Sequence, residues 1–335
     1  MKKYVNLFVF VFMIGACLSQ GRAQTKSAVS YKNPVVDIAM PDPTVIKAAD
    51  GYFYVYATES TRNVPIMKSK DLVEWTYCNT AFTNKTRPRF EPKAGIWAPD
   101  INYINGKYVL YYAMSVWGGE QTCGIGVATA DSPQGPFTDH GKMFRSNEIG
   151  VQNSIDPSLL QYEGRNYLVW GSFRGIYVIE LTADGLSIMP GAKKKRIAGT
   201  AFEAVYIHKH DDYYYMFASI GSCCQGVKST YKVVVGRSKK VWGPYKDKTG
   251  KPMLKNGYSL VIGANDHFVG NGHGSQIIRD DAGQDWLLYH GFLRSIPENG
   301  RILLLDQIKW DQEGWPYVEG GSPSYETQKA PVFNN

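Results

Sequence analysis

The sequence predicts an all-β fold, a five-bladed β-propeller, and three observations lead to that prediction. A short phrase recurs five times along the chain, and each copy is followed by a polar turn and a run rich in aromatic residues. A second β-rich phrase lies further along each copy. Tyrosine and tryptophan are abundant and no long amphipathic helical pattern occurs, which favours strands joined by turns.

The five copies share one register. They begin at the residues Asp42, Ala98, Asp156, Glu203 and Ser275. The residue fourteen positions after each start is aromatic in every copy: Tyr56, Tyr112, Trp170, Phe217 and Tyr289. Five aromatic residues at one offset indicate five copies of one β unit.

The second phrase predicts the size of each unit. It lies at residues 64–75, 125–137 and 233–245, and residues 176–180 and 302–306 take its place in the third and fifth copies. Each copy therefore contains two short hairpins, or about four strands, which is typical of a propeller blade. Because the first strand of a blade lies innermost, the starts of the five copies should gather around one central axis.

The domain organisation follows from the repeats and from the N-terminal composition. Residues 1–24 are predicted as a signal peptide, residues 33–320 as the propeller and residues 321–335 as a C-terminal tail. The leader begins with Lys2 and Lys3 and continues into an apolar run at residues 7–14, which is shorter than the roughly 20 residues that span a bilayer. The protein is therefore expected to be exported, as a periplasmic, cell-surface or secreted monomer.

The end of the leader allows two kinds of processing. Residues 14–17 resemble the lipobox of bacterial lipoproteins, in which lipid would be attached to Cys17. Ordinary cleavage near Ala23 and Gln24 is the alternative. A lipid on Cys17 would be the only contact with a membrane.

Charge and cysteine content exclude several classes of protein. The formal net charge is +7, of which Lys2, Lys3 and Arg22 in the leader contribute three, so that only +4 remains. This mild excess does not favour a nucleic-acid partner. No Cys-x-x-Cys or His-Glu-x-x-His motif occurs, so a zinc site has little support in the sequence.

Four cysteines follow the leader, which is too few for a disulfide framework. Cys78 and Cys123 are expected to be free buried thiols. Cys223 and Cys224 are neighbours that can join only in a strained ring, and their redox state stays open.

Three of the five copies begin with a carboxylate, and the propeller geometry would bring Asp42, Asp156 and Glu203 together. Each Asp precedes a proline, which is also a common way to open a turn. Burying unpaired like charges is costly, however, and three acids at one repeat position favour a functional cluster. Such a cluster suits glycoside hydrolysis, in which one acid protonates the leaving oxygen and another activates a water.

At these residues the chain resembles glycoside hydrolase family 43, and within it the α-1,5-L-arabinanases. The resemblance spans about residues 33–318. It rests on the segments 41–43, 97–100, 154–157, 202–204, 219–226, 229–231, 234–238 and 243–245. The Cys223-Cys224 segment favours arabinanases over the β-xylosidases of the family.

The resemblance implies a catalytic propeller without an organic cofactor. It would hydrolyse α-1,5-L-arabinofuranosyl linkages in arabinan, the side chains of plant pectin, with inversion and within the chain. The family roles make Asp42 the general base, Glu203 the general acid, and Asp156 the residue that tunes the pKa and orientation of the acid. Inversion predicts base and acid carboxyls about 6.5–9.5 Å apart, with room for a water between them.

Three further residues are candidates for binding the substrate. Trp97 precedes the start of the second copy and Phe173 follows a predicted strand, so either ring could stack on a sugar; core packing is the alternative for Trp97. Asn153, three residues before Asp156, could donate a hydrogen bond to a sugar hydroxyl or cap a turn.

His273 is the candidate metal ligand. It lies in the segment Gly272-His273-Gly274, beside the start of the fifth copy. In the arabinanases a histidine in a similar motif helps to hold an ion, often calcium, near the propeller centre, although the family commonly has Asn where Gly274 stands. Calcium prefers six to eight oxygen ligands, so waters would supply most of them.

Two alternative functions remain open. The first is an exo-acting α-L-arabinofuranosidase or a β-xylosidase with the same fold. The second is a carbohydrate-binding propeller that has lost catalysis, and the presence of all three acids argues against it.

Overall fold

A computed structural model of the chain describes Met1 and residues 30–334. The predicted signal peptide, including Cys17, therefore lies outside the described residues apart from Met1. Within the described part, no helix has the length and apolar character needed to cross a membrane.

The structure confirms the five-bladed propeller. The first four blades are antiparallel four-stranded sheets whose strands follow one another in chain order. Blade 1 comprises Thr44–Lys47, Phe53–Tyr56, Pro65–Ser69 and Thr76–Thr80. Blade 2 comprises Gly95–Ile104, Lys107–Ser115, Gly124–Ala130 and Thr138–Arg145. Blade 3 comprises Ser158–Tyr162, Arg165–Trp170, Ile176–Glu180 and Lys195–Ala198. Blade 4 comprises Glu203–His210, Tyr213–Ile220, Lys232–Ser238 and Ser259–Ile262.

Blade 5 closes the ring with a strand from the other end of the chain. Its own strands are Phe268–Gly272, Asp285–Leu293 and Ile302–Trp310, with the short strands Ile278–Arg279 and Pro316–Tyr317 at their ends. The N-terminal strand Val36–Ala39 pairs with Ile302–Trp310 as the outermost strand. The segment that leads into blade 1 is thus held to blade 5 by backbone hydrogen bonds, which answers how the ring is joined.

The segments outside the blades are short. Ser30–Tyr31 pairs with Gln328–Lys329, so the predicted C-terminal tail packs back on the N-terminal end of the domain. One α-helix, Ser146–Ile149, follows blade 2. The described 3-10 turns are Gly226–Lys228, Met253–Lys255, Pro297–Asn299 and Glu319–Gly321.

The core consists mainly of apolar clusters between neighbouring blades. One cluster joins blades 1 and 2 and includes Tyr56 and Tyr112; another joins blades 4 and 5 and includes Phe217 and Tyr289. All five aromatic residues of the repeat are at most 4% exposed. Burial of each such side chain contributes about 1.5–3 kcal/mol relative to exposure. The repeated aromatic position is therefore the position that packs one blade against the next.

The polar atoms of these aromatic residues are also bonded. The Tyr289 hydroxyl donates to Asp306 Oδ2 at 2.5 Å, and the Trp170 indole N–H donates to Ser154 Oγ at 3.0 Å. A buried hydroxyl or indole without a partner would cost free energy. These bonds explain why tyrosine and tryptophan are tolerated in the core.

The backbone corrects the register of two of the five copies. Each copy has one non-glycine residue with φ between 43° and 56° just before or near the beginning of its inner strand, and these residues are Asp42, Ala98, Asp156, Ala204 and His273. The fourth and fifth starts are therefore Ala204 and His273, rather than Glu203 and Ser275. The sequence phrases could not reveal this, because the pairing is irregular between Glu203 and Tyr206 and between Val269 and Gly272.

The expectation for the free cysteines is correct for one of the two. Cys123 is buried, whereas Cys78 is only half-buried, because it lies on the outermost strand of blade 1. Both are free thiols.

The closure of the ring leads to a stability prediction. Leu303 is fully buried and pairs with Val36 across the junction between the two ends of the chain. Leu303→Ala should lower the free energy of unfolding by about 2–5 kcal/mol because it leaves a cavity at this junction. Urea unfolding followed by circular dichroism measures the change.

Leu260→Ala is the matched control, because Leu260 also lies on a blade strand but is 52% exposed. It should change the free energy of unfolding by no more than about 0.5 kcal/mol. Equal losses in the two variants would contradict the role given to the junction.

Candidate active site

A cavity of about 760 Å³ opens at the end of the propeller where the inner strands begin. Its wall includes every residue that the sequence predicted for the site: Asp42, Trp97, Asn153, Asp156, Phe173, Glu203 and His273. Each of the three acids is only 8% exposed. The structure therefore brings the predicted carboxylates to one place.

Asp42 is surrounded by positive and hydrogen-bonding groups. Arg301 Nη1 donates to Asp42 Oδ1 at 2.7 Å, and the Thr58 hydroxyl donates to Oδ2 at 2.6 Å. His273 Nδ1 lies 3.3 Å from Oδ1. Burial alone would raise the pKa of Asp42, but Arg301 and His273 outweigh it and hold the pKa well below its usual range. Asp42 is thus an ionised proton acceptor.

His290 contacts Asp42 as a neutral side chain. The Asp42 backbone N–H donates to His290 Nδ1 at 3.0 Å, so this nitrogen is unprotonated. Burial and the nearby Arg301 hold the pKa of His290 well below its usual value. The 3.3 Å approach of His290 Nδ1 to Asp42 Oδ1 is therefore not an ion pair. The ring stacks on Tyr231 with centroids 5.6 Å apart.

Glu203 is held as a proton donor. Burial raises its pKa, and the neighbouring Asp156 carboxylate raises it further, to about 7. The Ser172 hydroxyl donates to Glu203 Oε2 at 2.6 Å and opposes the rise, as does Tyr231. Glu203 therefore keeps its proton up to about neutral pH.

The pKa of Asp156 lies between the pKa values of Asp42 and Glu203. The Ala204 backbone N–H donates to its Oδ2 at 3.0 Å. Burial raises the pKa of Asp156 to about 6; His273 opposes the rise and Asp42 adds to it. Three acids in one cavity thus differ in protonation, which is how carboxylates are assigned to acid and base roles.

A set of hydroxyls fixes the starts of the inner strands, and sequence reasoning missed it. Thr58 accepts from the Ala98 N–H at 2.7 Å while it donates to Asp42, and Ser219 accepts from the His273 N–H at 2.9 Å. With Ser172, these residues lie sixteen positions after the predicted starts of copies one, three and four. The same alignment that found the aromatic residues could have found them.

Other residues near the acids are harder to find from the sequence. His290 follows the repeated aromatic residue directly, at a position where the other copies have Ala57, Ala113, Gly171 and Ala218. A histidine among small residues at one repeat position is a usable signal. Arg301 and Tyr231 have no counterpart in the repeats, and only the folded chain brings them to the acids.

The predicted sugar-binding residues differ in what they contact. Trp97 packs against Trp117 with ring centroids 5.5 Å apart, and Trp117 is 79% exposed. Phe173 lies on the cavity wall. Asn153 Nδ2 donates to Ser172 Oγ at 2.9 Å, so its amide group orients the hydroxyl that bonds Glu203. Sugar stacking by Trp97 and Phe173, and a sugar bond from Asn153, remain predictions.

The paired cysteines also line the cavity. Cys223 and Cys224 are joined in a disulfide, with Cα atoms 3.8 Å apart. The redox state that the sequence left open is therefore the oxidised one in this structure.

The surroundings of His273 limit the ion that it can hold. A cavity of about 20 Å³, room for about one water, lies against His273 on the axis. The nearby Asp100 is engaged, because it accepts from the Leu159 N–H at 2.7 Å and from Gln276 Nε2 at 2.8 Å. The protein thus offers one imidazole and few free oxygens here, and this donor set fits only an ion that keeps most of its waters.

Known proteins with similar sequences carry the same fold over most of their length. The chain is 37% identical over 290 residues to an extracellular endo-α-(1→5)-L-arabinanase of Bacillus subtilis, covering 82% of this chain and 86% of that protein. It is 35% identical over 307 residues to an extracellular exo-α-(1→5)-L-arabinofuranosidase of Cellvibrio japonicus, with 83% and 86% covered. The solved structure of an α-L-arabinanase of Cellvibrio cellulosa in complex with arabinohexaose matches with a TM-score of 0.77 at 33% identity, over 86% of this chain and 98% of that one.

The family model for glycosyl hydrolases family 43 matches residues 31–316, which is nearly the whole described propeller. The cavity with its three separately tuned carboxylates has the chemistry that hydrolysis of a glycosidic bond requires. The chain is therefore a member of glycosyl hydrolase family 43.

Proposed function

We propose that the protein hydrolyses α-1,5-linked L-arabinofuranosyl chains of arabinan, acting within the chain and with inversion of configuration. The observation that carries this proposal is the divided protonation of the buried acids. Asp42 is ionised, whereas the pKa of Glu203 is raised to about 7. A base and an acid are thus available together near neutral pH.

The chemistry assigns one step to each acid. Glu203 gives its proton to the leaving glycosidic oxygen as the bond from that oxygen to the anomeric carbon breaks. A water attacks the same carbon from the opposite face and gives a proton to Asp42. Arg301 and Thr58 orient Asp42 for this transfer. Asp156 raises the pKa of Glu203 and orients the acid.

The relatives support arabinan as the substrate and are compatible with cleavage either within the chain or at its end. An endo-acting enzyme and an exo-acting enzyme both match over most of this chain. Endo action is our proposal. Exo-acting α-L-arabinofuranosidase and β-xylosidase activities are the alternatives, and a non-catalytic carbohydrate-binding propeller is the alternative from another class.

The same relatives support an extracellular location for the enzyme. Both are described as extracellular, in agreement with the predicted export of this chain. We propose in addition that the exported protein is a monomer and is either anchored by lipid on Cys17 or cleaved near Ala23. Metabolic labelling with a radioactive fatty acid, in wild type and in Cys17→Ser, distinguishes the two.

The first functional prediction concerns the products. Linear arabinan should be cut to a ladder of oligosaccharides before arabinose accumulates, because an endo-acting site accepts the chain at internal positions. Chromatography of early digests measures the ladder. Proton NMR of the fresh products should show the inverted anomer first. Arabinose as the sole early product would support exo action, and a retained anomer would contradict the acid–base pair.

Two controls accompany this digestion. Glu203→Gln should lower the turnover of arabinan by about 10²–10⁴-fold, since general acid catalysis typically contributes that much, while binding of arabino-oligosaccharides persists. An aryl β-xyloside should not be cleaved. Near-normal turnover by Glu203→Gln would show that the acid is wrongly assigned, and release of the aryl group would favour the xylosidase.

The second prediction concerns pH. Activity should fall as pH rises through about 7, because Glu203 then loses the proton that it must donate. Asp156→Asn removes a negative neighbour and so lowers the pKa of Glu203. The alkaline limb of kcat/KM against pH should therefore move to lower pH in this variant.

Asp131→Asn is the matched control, because the Asp131 side chain is 86% exposed and pairs only with Lys107 on the surface. Its pH profile should equal that of the wild type. An alkaline limb that stays in place in Asp156→Asn would contradict the tuning role of Asp156.

The third prediction concerns the ion. We propose that His273, in its neutral form, is the protein ligand of a hydrated cation, with calcium as the expected species. Burial lowers the pKa of His273, but the Asp42 carboxylate outweighs it and raises the pKa, so the cation would replace a proton on this ring. Bound there, the cation would add positive charge near the carboxylates. Treatment with a chelator should lower the melting temperature or the rate of hydrolysis, and added calcium should restore it.

His273→Gln tests the same site without a chelator. In this variant, calcium added after the chelator should restore neither the rate of hydrolysis nor the melting temperature. A wild-type melting curve and rate that do not change with the chelator would remove the ion proposal and leave the acid roles untouched.

A further inference from the structure

A second group of metal-binding side chains lies away from the acids, between blades 4 and 5. His208 and His210 belong to the inner strand of blade 4, and Asp285 begins the second strand of blade 5. One donor atom from each residue lies within 4.8 Å of the others. Within residues 30–334, no other group of three or more histidine, cysteine, aspartate or glutamate side chains brings its donor atoms within 4.8 Å of one another.

The strand geometry explains why these residues converge and why they are remote from catalysis. Alternate residues of a strand project to the same side, so His208 and His210 present both imidazoles to blade 5. The strand begins at Glu203, and its rise of about 3.3 Å per residue places the two histidines roughly 17–23 Å from the catalytic acid. The group is therefore separate from the active site.

Trp310 holds two of the three side chains in place. The imidazole of His210 stacks on the Trp310 indole with centroids 3.6 Å apart and planes 6° apart. The indole N–H donates to Asp285 Oδ2 at 2.8 Å, which leaves the carboxylate with free acceptor capacity. Bonded carboxylates and fixed rings are typical of preorganised metal ligands.

The donor set selects the kind of ion. Two imidazoles and one carboxylate suit zinc, whereas calcium and magnesium prefer oxygen ligands throughout. Metal binding requires both imidazoles in their neutral form.

The neighbouring charges are compatible with a cation. His210 Nδ1 lies 3.8 Å from Asp285 Oδ2, which is close to the spacing of two ligands on one ion. Asp211 adds a negative charge 3.5 Å from His210 Nε2. Arg279 lies 3.8 Å from Asp285 Oδ1, but its side chain is 63% exposed, so solvent screens its charge.

We propose that His208, His210 and Asp285 form a zinc site that links blades 4 and 5. Water occupies the remaining positions on the ion. Because one ligand comes from blade 5 and two come from blade 4, zinc stabilises the contact between these blades. The site acts on stability and takes no part in the hydrolysis.

Isothermal titration of the metal-stripped full chain with zinc chloride tests the proposal. The wild type should bind one zinc ion at this site, and His208→Gln and Asp285→Asn should each weaken that binding at least tenfold. At zinc concentrations about 100-fold above Kd, the melting temperature of the wild type should rise by about 4 °C or more. Both variants should lose this rise while retaining the wild-type rate of hydrolysis.

Two further variants serve as controls. His140→Gln removes a histidine that bonds Thr129 in blade 2, and it should keep the wild-type zinc isotherm. His273→Gln should keep it as well, which separates this site from the ion site on the axis. Absence of zinc binding by the wild type, or equal zinc affinity in the wild type, His208→Gln and Asp285→Asn, would overturn the proposal.

Discussion

The structure depends on how three carboxylates are buried side by side at the propeller axis. A buried charge is costly unless it is paired or neutralised. Asp42 is paired with Arg301 and lies beside His273, whereas the pKa of Glu203 is raised to about 7, so that this acid keeps its proton up to about neutral pH. The arrangement that makes this burial tolerable also divides the acids into a base and a proton donor.

The fold supplies this arrangement through repetition. Aromatic residues such as Tyr56 and Tyr112 pack one blade against the next and so hold the inner strands at a common axis. Four of the five residues with left-handed backbone line the cavity: Asp42, Ala98, Asp156 and His273. Such conformations are unfavourable for non-glycine residues and are tolerated where surrounding bonds secure them, as the Thr58 hydroxyl does for Ala98.

Much of the site could be predicted from sequence because a repeat converts distance along the chain into proximity in space. The same alignment that related Asp42 to Asp156 also located Glu203, although the structure places Glu203 one residue before the equivalent position. That error did not matter for the acid, because Glu203 itself lines the cavity that holds Asp42 and Asp156. Arg301 could not be found in this way, since it has no counterpart in the other blades.

The sequence by itself determined the number of blades, the aromatic contacts between them and the three acids. Each of these features recurs at a fixed position of the repeat and can therefore be recognised in the sequence. The tertiary structure alone decided the closure of the ring by residues 36–39 and the pairing of Asp42 with Arg301. It also decided which acid is ionised. These properties arise from single contacts between distant segments and from burial, and no local pattern records them.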